Sequence, residues 1–128
     1  VSTGPLTATV AGLAAALAPV GKVHAALPER FTPPCVLLKP ADPMVTTEGH
    51  PAGIGDLHYD VVLMPRRGTN PTWEAAAFAM AEEALAALRA HPHAVAESVS
   101  APYDLQVGQN VHLAIRINVK TPTRLTTD

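Results

Sequence analysis

At 128 residues the chain has the length of one domain, enough to bury a core and too little for two. Its 48% hydrophobic and 16% charged residues describe a folded globular chain rather than a disordered one, and a net charge of -2 offers no electrostatic footing for nucleic-acid binding. The single cysteine, Cys35, excludes an internal disulfide and favours a reducing compartment, and no apolar run approaches the ~20 residues of a membrane helix.

The first element reads as a helix, because Leu6, Val10, Leu13 and Leu17 recur on one stripe. Thr3 or Gly4 caps it, Pro5 sits in its first turn, and Pro19 and Gly21 end it. The run from Leu6 to Val20 lacks the basic flank of a signal peptide, so it is expected as part of the mature, cytosolically assembled protein. Lys22 to Ala26 reads as a short strand and Pro28 to Pro34 as loop. Cys35 to Lys39 then reads as a five-residue strand closed by Pro40, followed by a long loop over residues 41–55.

Leu57 to Met64 alternates, with Leu57, Tyr59, Val61 and Leu63 on one face and His58, Asp60, Val62 and Met64 on the other. After a turn at Arg66-Arg67-Gly68, Asn70 and Pro71 open a helix running to about Ala90. Its apolar stripe is Trp73, Ala77, Met80, Ala84 and Leu88, widened by Ala81 and Leu85. A closing hairpin follows. Val99, Ala101, Tyr103, Leu105 and Val107 are expected on one face, with a bulge at Pro102. Val111 to Lys120 alternates over ten residues, the clearest strand signal in the chain. The expected fold is α+β, in the order α-β-β-β-α-β-β: one domain over residues 1–121 with a mixed or largely antiparallel sheet packed on one face by two amphipathic helices. Residues 122–128 read as a loose tail.

The chemistry-bearing residues are few. A nucleophilic cysteine needs a lowered pKa, and Cys35 opens a strand behind two prolines with no catalytic signature around it. A small buried hydrophobe is the competing reading. Asp56, His58 and Asp60 share one face of one strand, and carboxylate and imidazole suit a divalent transition metal, with His50 or His112 available to complete a site. A solvated or subunit-facing sheet face explains the same residues. His91 and His93 lie just past a helix end, where cations are favoured. No phosphate loop, dinucleotide fingerprint, nucleophile elbow or zinc spacing occurs, so neither an enzyme nor a cofactor is expected.

The chain resembles the tail terminator (tail completion, minor tail) proteins of long-tailed, siphophage-type bacteriophages, above all those of actinobacterial hosts. The resemblance is carried by the helix LTATVAGLAAAL, then GKVHAALPERFTPPCVLLKPADPMVT, the strand LHYDVVLMP, the Trp73 helix and the closing NVHLAIRINVKT. Pro33-Pro34, the apolar Cys35 to Leu38 and Pro40-Ala41-Asp42-Pro43 match the family's order of prolines, apolar strand and P-x-D-P-type segment. Val1 reads as a translated GTG start, and the wealth of alanine and proline fits a GC-rich genome.

The resemblance implies a virion protein of the tail and neck, assembled in the host cytoplasm. It implies a hexameric ring that caps the head-proximal end of the tail tube, with the major tail tube protein and a head-completion or neck protein as partners. DNA would pass through the lumen without sequence-specific binding. It transfers no catalytic residue. Candidate subunit or partner contacts are Asp42, Met44, Glu48, His50, Arg66, Arg67, Gln109 and Arg116, chosen for irregular backbone and exposure. The alternatives are another neck or head–tail connector protein, and a small cytosolic metal- or ligand-binding domain using Asp56, His58 and Asp60.

Overall fold

Alternating strands with one apolar face need a cover, and two amphipathic helices supply it. The computed structural model describes residues 5–24, 34–66, 70–91, 94–107 and 109–124. Thr3, Gly4, the loop over 28–33, Arg67, Gly68, His93, Gly108 and residues 125–128 lie outside the described residues. The elements are α1 (Pro5–Leu17), β1 (Lys22–His24), β2 (Cys35–Thr46), β3 (Ile54–Met64), α2 (Asn70–Ala90), β4 (Val95–Val99), β5 (Tyr103–Val107) and β6 (Asn110–Arg124). The fold is α+β with a six-stranded mixed sheet ordered β1-β2-β3-β6-β4, and β5 also pairs with β6. Among the described residues only the β1–β2 pair is parallel. The expected element order holds, with the strand before the last divided into β4 and β5.

The main core lies between the helices and one sheet face. Leu13 and Leu17 of α1, and Ala77, Met80, Ala81, Ala84 and Leu88 of α2, are buried against Val36, Leu38, Leu57, Tyr59, Val61, Leu63, Ile115, Ile117 and Val119. Leu6, Val10 and Leu85 are half-buried along its margin, so the stripes pack as their spacing requires from Leu6 to Leu17 and from Ala77 to Leu88, whereas Trp73 is half-buried ahead of that cluster. The small residues Ala77, Ala81 and Ala84 let α2 lie close to the sheet. A second cluster of Cys35, Leu37, Val62, Met64 and Ala114 is buried on the opposite face, with Tyr103 and Leu105 packed against it. Cys35 to Leu38 are therefore buried on both faces, which explains an apolar run without alternation. Among the described residues, no helix is long and apolar enough to cross a membrane.

Three expectations are corrected. Pro40 does not close its strand: β2 runs on to Thr46, with an irregularity between Pro40 and Val45, and the loop shrinks from 41–55 to 47–53. Among the described residues β1 pairs with β2 only as far as Leu37, and a strand without a partner on one side tolerates the missing N–H groups of Pro40 and Pro43. Gly49 and Gly53, both at positive φ, turn the shortened loop.

Val99, Ala101, Tyr103, Leu105 and Val107 do not share a face. Val99 pairs with Ile117 and Tyr103 with Ala114, a slip of one residue across Ser100 to Pro102 that moves Tyr103 and Leu105 to the face away from the helices. The tail also starts later than expected. β6 continues to Arg124, pairing with Asp56, Gly55 and Ile54, because buried Thr121 and Thr123 pack without an apolar pattern. Thr123 Oγ1 lies 2.8 Å from Thr9 Oγ1, a hydrogen bond that ties the end of the strand to α1.

Ile117 is fully buried at the centre of this packing, whereas Phe78 on α2 is 47% exposed. Ile117→Ala is expected to lower unfolding free energy by about 2–5 kcal/mol, while Phe78→Ala should stay within about 0.5 kcal/mol. Urea titration of the two variants checks the contrast.

Candidate functional site

The polar residues of β3 are aimed away from the helices by strand parity alone. Asp56, His58 and Asp60 alternate with buried Leu57, Tyr59 and Val61, so they stand on the sheet face that no helix covers. On β6 the same parity brings Arg116, Asn118 and Lys120 to that face, opposite Val62, Asp60 and His58. A register shift between Ala96 and Ser98 marks a bulge in β4, which lets Glu97 reach His58 and Ser98 reach Asn118.

His58 is the hub of this face. Its Nε2 lies 2.8 Å from Thr46 Oγ1 and its Nδ1 3.6 Å from Glu97 Oε1, so one ring links β2 to β4 across the intervening strands. His50 Nε2 lies 3.0 Å from Asp56 Oδ2, fastening the 47–53 loop to β3. Asn118 Nδ2 donates to Ser98 Oγ at 2.7 Å. A hollow of about 390 Å³ opens over the group, lined among others by Asp42, Thr46, His58, Asp60, Glu97 and Arg116. Tyr103 stands close by. Its phenol is pushed up first by burial, then pulled down by the Arg116 guanidinium and pushed up by Asp60.

The three residues weighed as metal ligands are thus engaged separately. Asp56 faces His50, His58 faces Thr46 and Glu97, and Asp60 faces the hollow. Among the described residues no three His, Cys, Asp or Glu side chains converge to hold an ion. Thr46 and Glu97 escaped the sequence reading, Thr46 because it seemed to lie in a loop and Glu97 because its bulge leaves no periodic mark.

The contact candidates fall into two groups. Met44, Glu48 and His50 lie toward the end of the sheet where β2 turns into β3, while Asp42 sits in the irregularity between Pro40 and Val45 and lines the hollow. Met44 is exposed there and, with Leu6, Val10 and Leu57, lines an apolar groove of about 300 Å³ beside α1. Arg66 and Gln109 are exposed at the opposite end, beyond Met64 and before Asn110, and Arg116 lies between the groups in the hollow. Eleven residues of β3 separate the two ends, roughly 35 Å of extended chain.

Cys35 is fully buried, and burial pushes its thiol up, the opposite of what a nucleophile requires. The folded state therefore holds this proton more tightly than the unfolded state. Its stabilising effect is present below the ordinary thiol value of 9.0 and is lost as pH rises beyond it. Stability should fall above that pH, and less steeply in Cys35→Ala, as read from urea midpoints across the alkaline range. A thiol reagent should label Cys35 only in denaturant.

Comparison with known protein families and with curated proteins found no match.

Proposed function

We propose that the chain is a non-enzymatic virion assembly subunit, which forms a ring on the head-proximal end of a bacteriophage tail tube, ends tube growth and offers a docking face to the neck. The reading rests on the resemblance along the chain. The structural observation that supports it most is the placement of exposed, irregular segments at two opposite ends of the sheet. A closed ring needs heterologous contacts, in which one patch meets a different patch on the next copy. Met44, Glu48 and His50 toward one end and Arg66 and Gln109 at the other are the two unlike patches on which this reading draws.

The bare polar sheet face also suits this role. His58, Asp60, Glu97, Arg116 and Lys120 mix both charges on one surface. Such a surface can meet another protein or water, and its balance gives DNA no reason to adhere.

Light scattering and electron microscopy of the purified chain mixed with tail tubes are expected to show a hexameric ring seated on one tube end. A chain that stays monomeric and neither binds nor caps tubes overturns the proposal. Arg66→Glu is expected to weaken ring closure while leaving the unfolding free energy of the subunit within about 0.5 kcal/mol, because Arg66 is exposed. Equal ring formation by the variant would remove Arg66 from the interface.

A further inference from the structure

One margin of the sheet is open. β4 pairs with β6 on one side and with no described strand on the other, and all five of its residues are exposed, Val95 by 50% and Val99 by 43%. The Ser100 N–H donates to the Arg116 carbonyl at 2.8 Å, so strand alternation turns the N–H and C=O of Val99 outward, away from β6. The bulge sends Glu97 and Ser98 to the bare face, where they meet His58 and Asn118. On the helix side that leaves small Ala96, paired with Val119, and Val99, paired with Ile117.

A groove of about 350 Å³ results between the end of α2 and this edge. Leu85, Leu88, Ala94, Val95 and Ala96 form its walls, and Arg89 and His91 line it as well. Arg89 is exposed, and His91 Nδ1 is buried without a hydrogen-bond partner. Arg89 stands in the last turn of α2, whose free carbonyls favour a cation, and His91 lies just beyond it.

We infer that this edge takes an added β-strand: an extended segment of another polypeptide, apolar at alternate positions and carrying a carboxylate. An open edge beside a helix-walled groove is the arrangement for strand addition, in which backbone hydrogen bonds give affinity and the groove takes every second side chain. The Arg89 guanidinium on the lining sets the charge of the guest. A second copy of this chain fits the edge less well. Full antiparallel overlap of two β4 strands brings the two Glu97 side chains opposite each other, and like charges so placed destabilise the pair. The inference concerns a different margin from the two ends assigned to the ring and does not rest on that reading.

The test is an NMR titration of isotope-labelled protein with a capped peptide alternating valine and threonine around one aspartate, and with its lysine counterpart. The aspartate peptide is expected to slow hydrogen exchange at Val99 and to shift the amides of Leu85, Arg89 and Ala96. The lysine peptide should bind up to about fivefold more weakly, the scale of one exposed charge pair. Arg89→Glu should reverse that preference. Val99→Pro removes an outward N–H and should abolish binding, with unchanged shifts around Ile117 showing that the core is intact. The inference is overturned by absence of binding at millimolar peptide, by equal binding of both peptides, or by shifts confined to the His58 face. Protection of β4 in the protein alone that rises with its concentration overturns it too, because the guest would then be a second copy.

Discussion

The pairing of β3 with β6 is the constraint on which everything else hangs. It runs from Ile54 opposite Arg124 to Leu63 opposite Ile115, at the centre of the sheet. Because side chains alternate strictly, that single register sorts both strands at once. Leu57, Tyr59, Val61 and Leu63 join Ile115, Ile117 and Val119 under the helices, and Asp56, His58 and Asp60 join Arg116, Asn118 and Lys120 on the bare face. A slip of one residue would bury the charges and expose the core, an exchange that a domain of marginal stability cannot sustain. The core and the polar face are thus two consequences of one alignment.

The elements legible in the sequence are those whose period is uninterrupted. The stripe of α2 and the alternation of β3 and β6 survive because each keeps one face against the main core, even where β3 is buried on both faces from Val61 to Met64. Elements that change environment midway were misread. β2 is buried on both faces over Cys35 to Leu38 and exposed at Lys39 and Pro40, so no single pattern describes it and its prolines look like ends. β4 and β5 differ by one residue in register along the same neighbour; Pro102 marks a break there, but the alternation does not show that the break moves Tyr103 and Leu105 to the other face.

The polar face was legible in the same partial way. Parity alone brings Asp56, His58 and Asp60 together on one side of a strand. It does not reveal that the 47–53 loop returns to set His50 against Asp56, or that a bulge two strands away sets Glu97 against His58. Local periodicity shows where a side chain points. What it meets depends on long-range register, and here those partners separate three residues that a ligand-set reading would have grouped.

The prolines of β2 have a further effect on the molecule as a building block. Past Leu37 the outer side of β2 has no described neighbour, and Pro40 and Pro43 leave that margin short of donors. β4 on the far side keeps its donors and carries no proline. Among the described residues the sheet is thus lopsided, with donors free along β4 at one rim and scarce along β2 past Leu37 at the other. A particle with two receptive rims could stack without limit, as cross-β material does. One receptive rim has room for a single added strand, so the uneven supply of donors limits any growth of the sheet to β4.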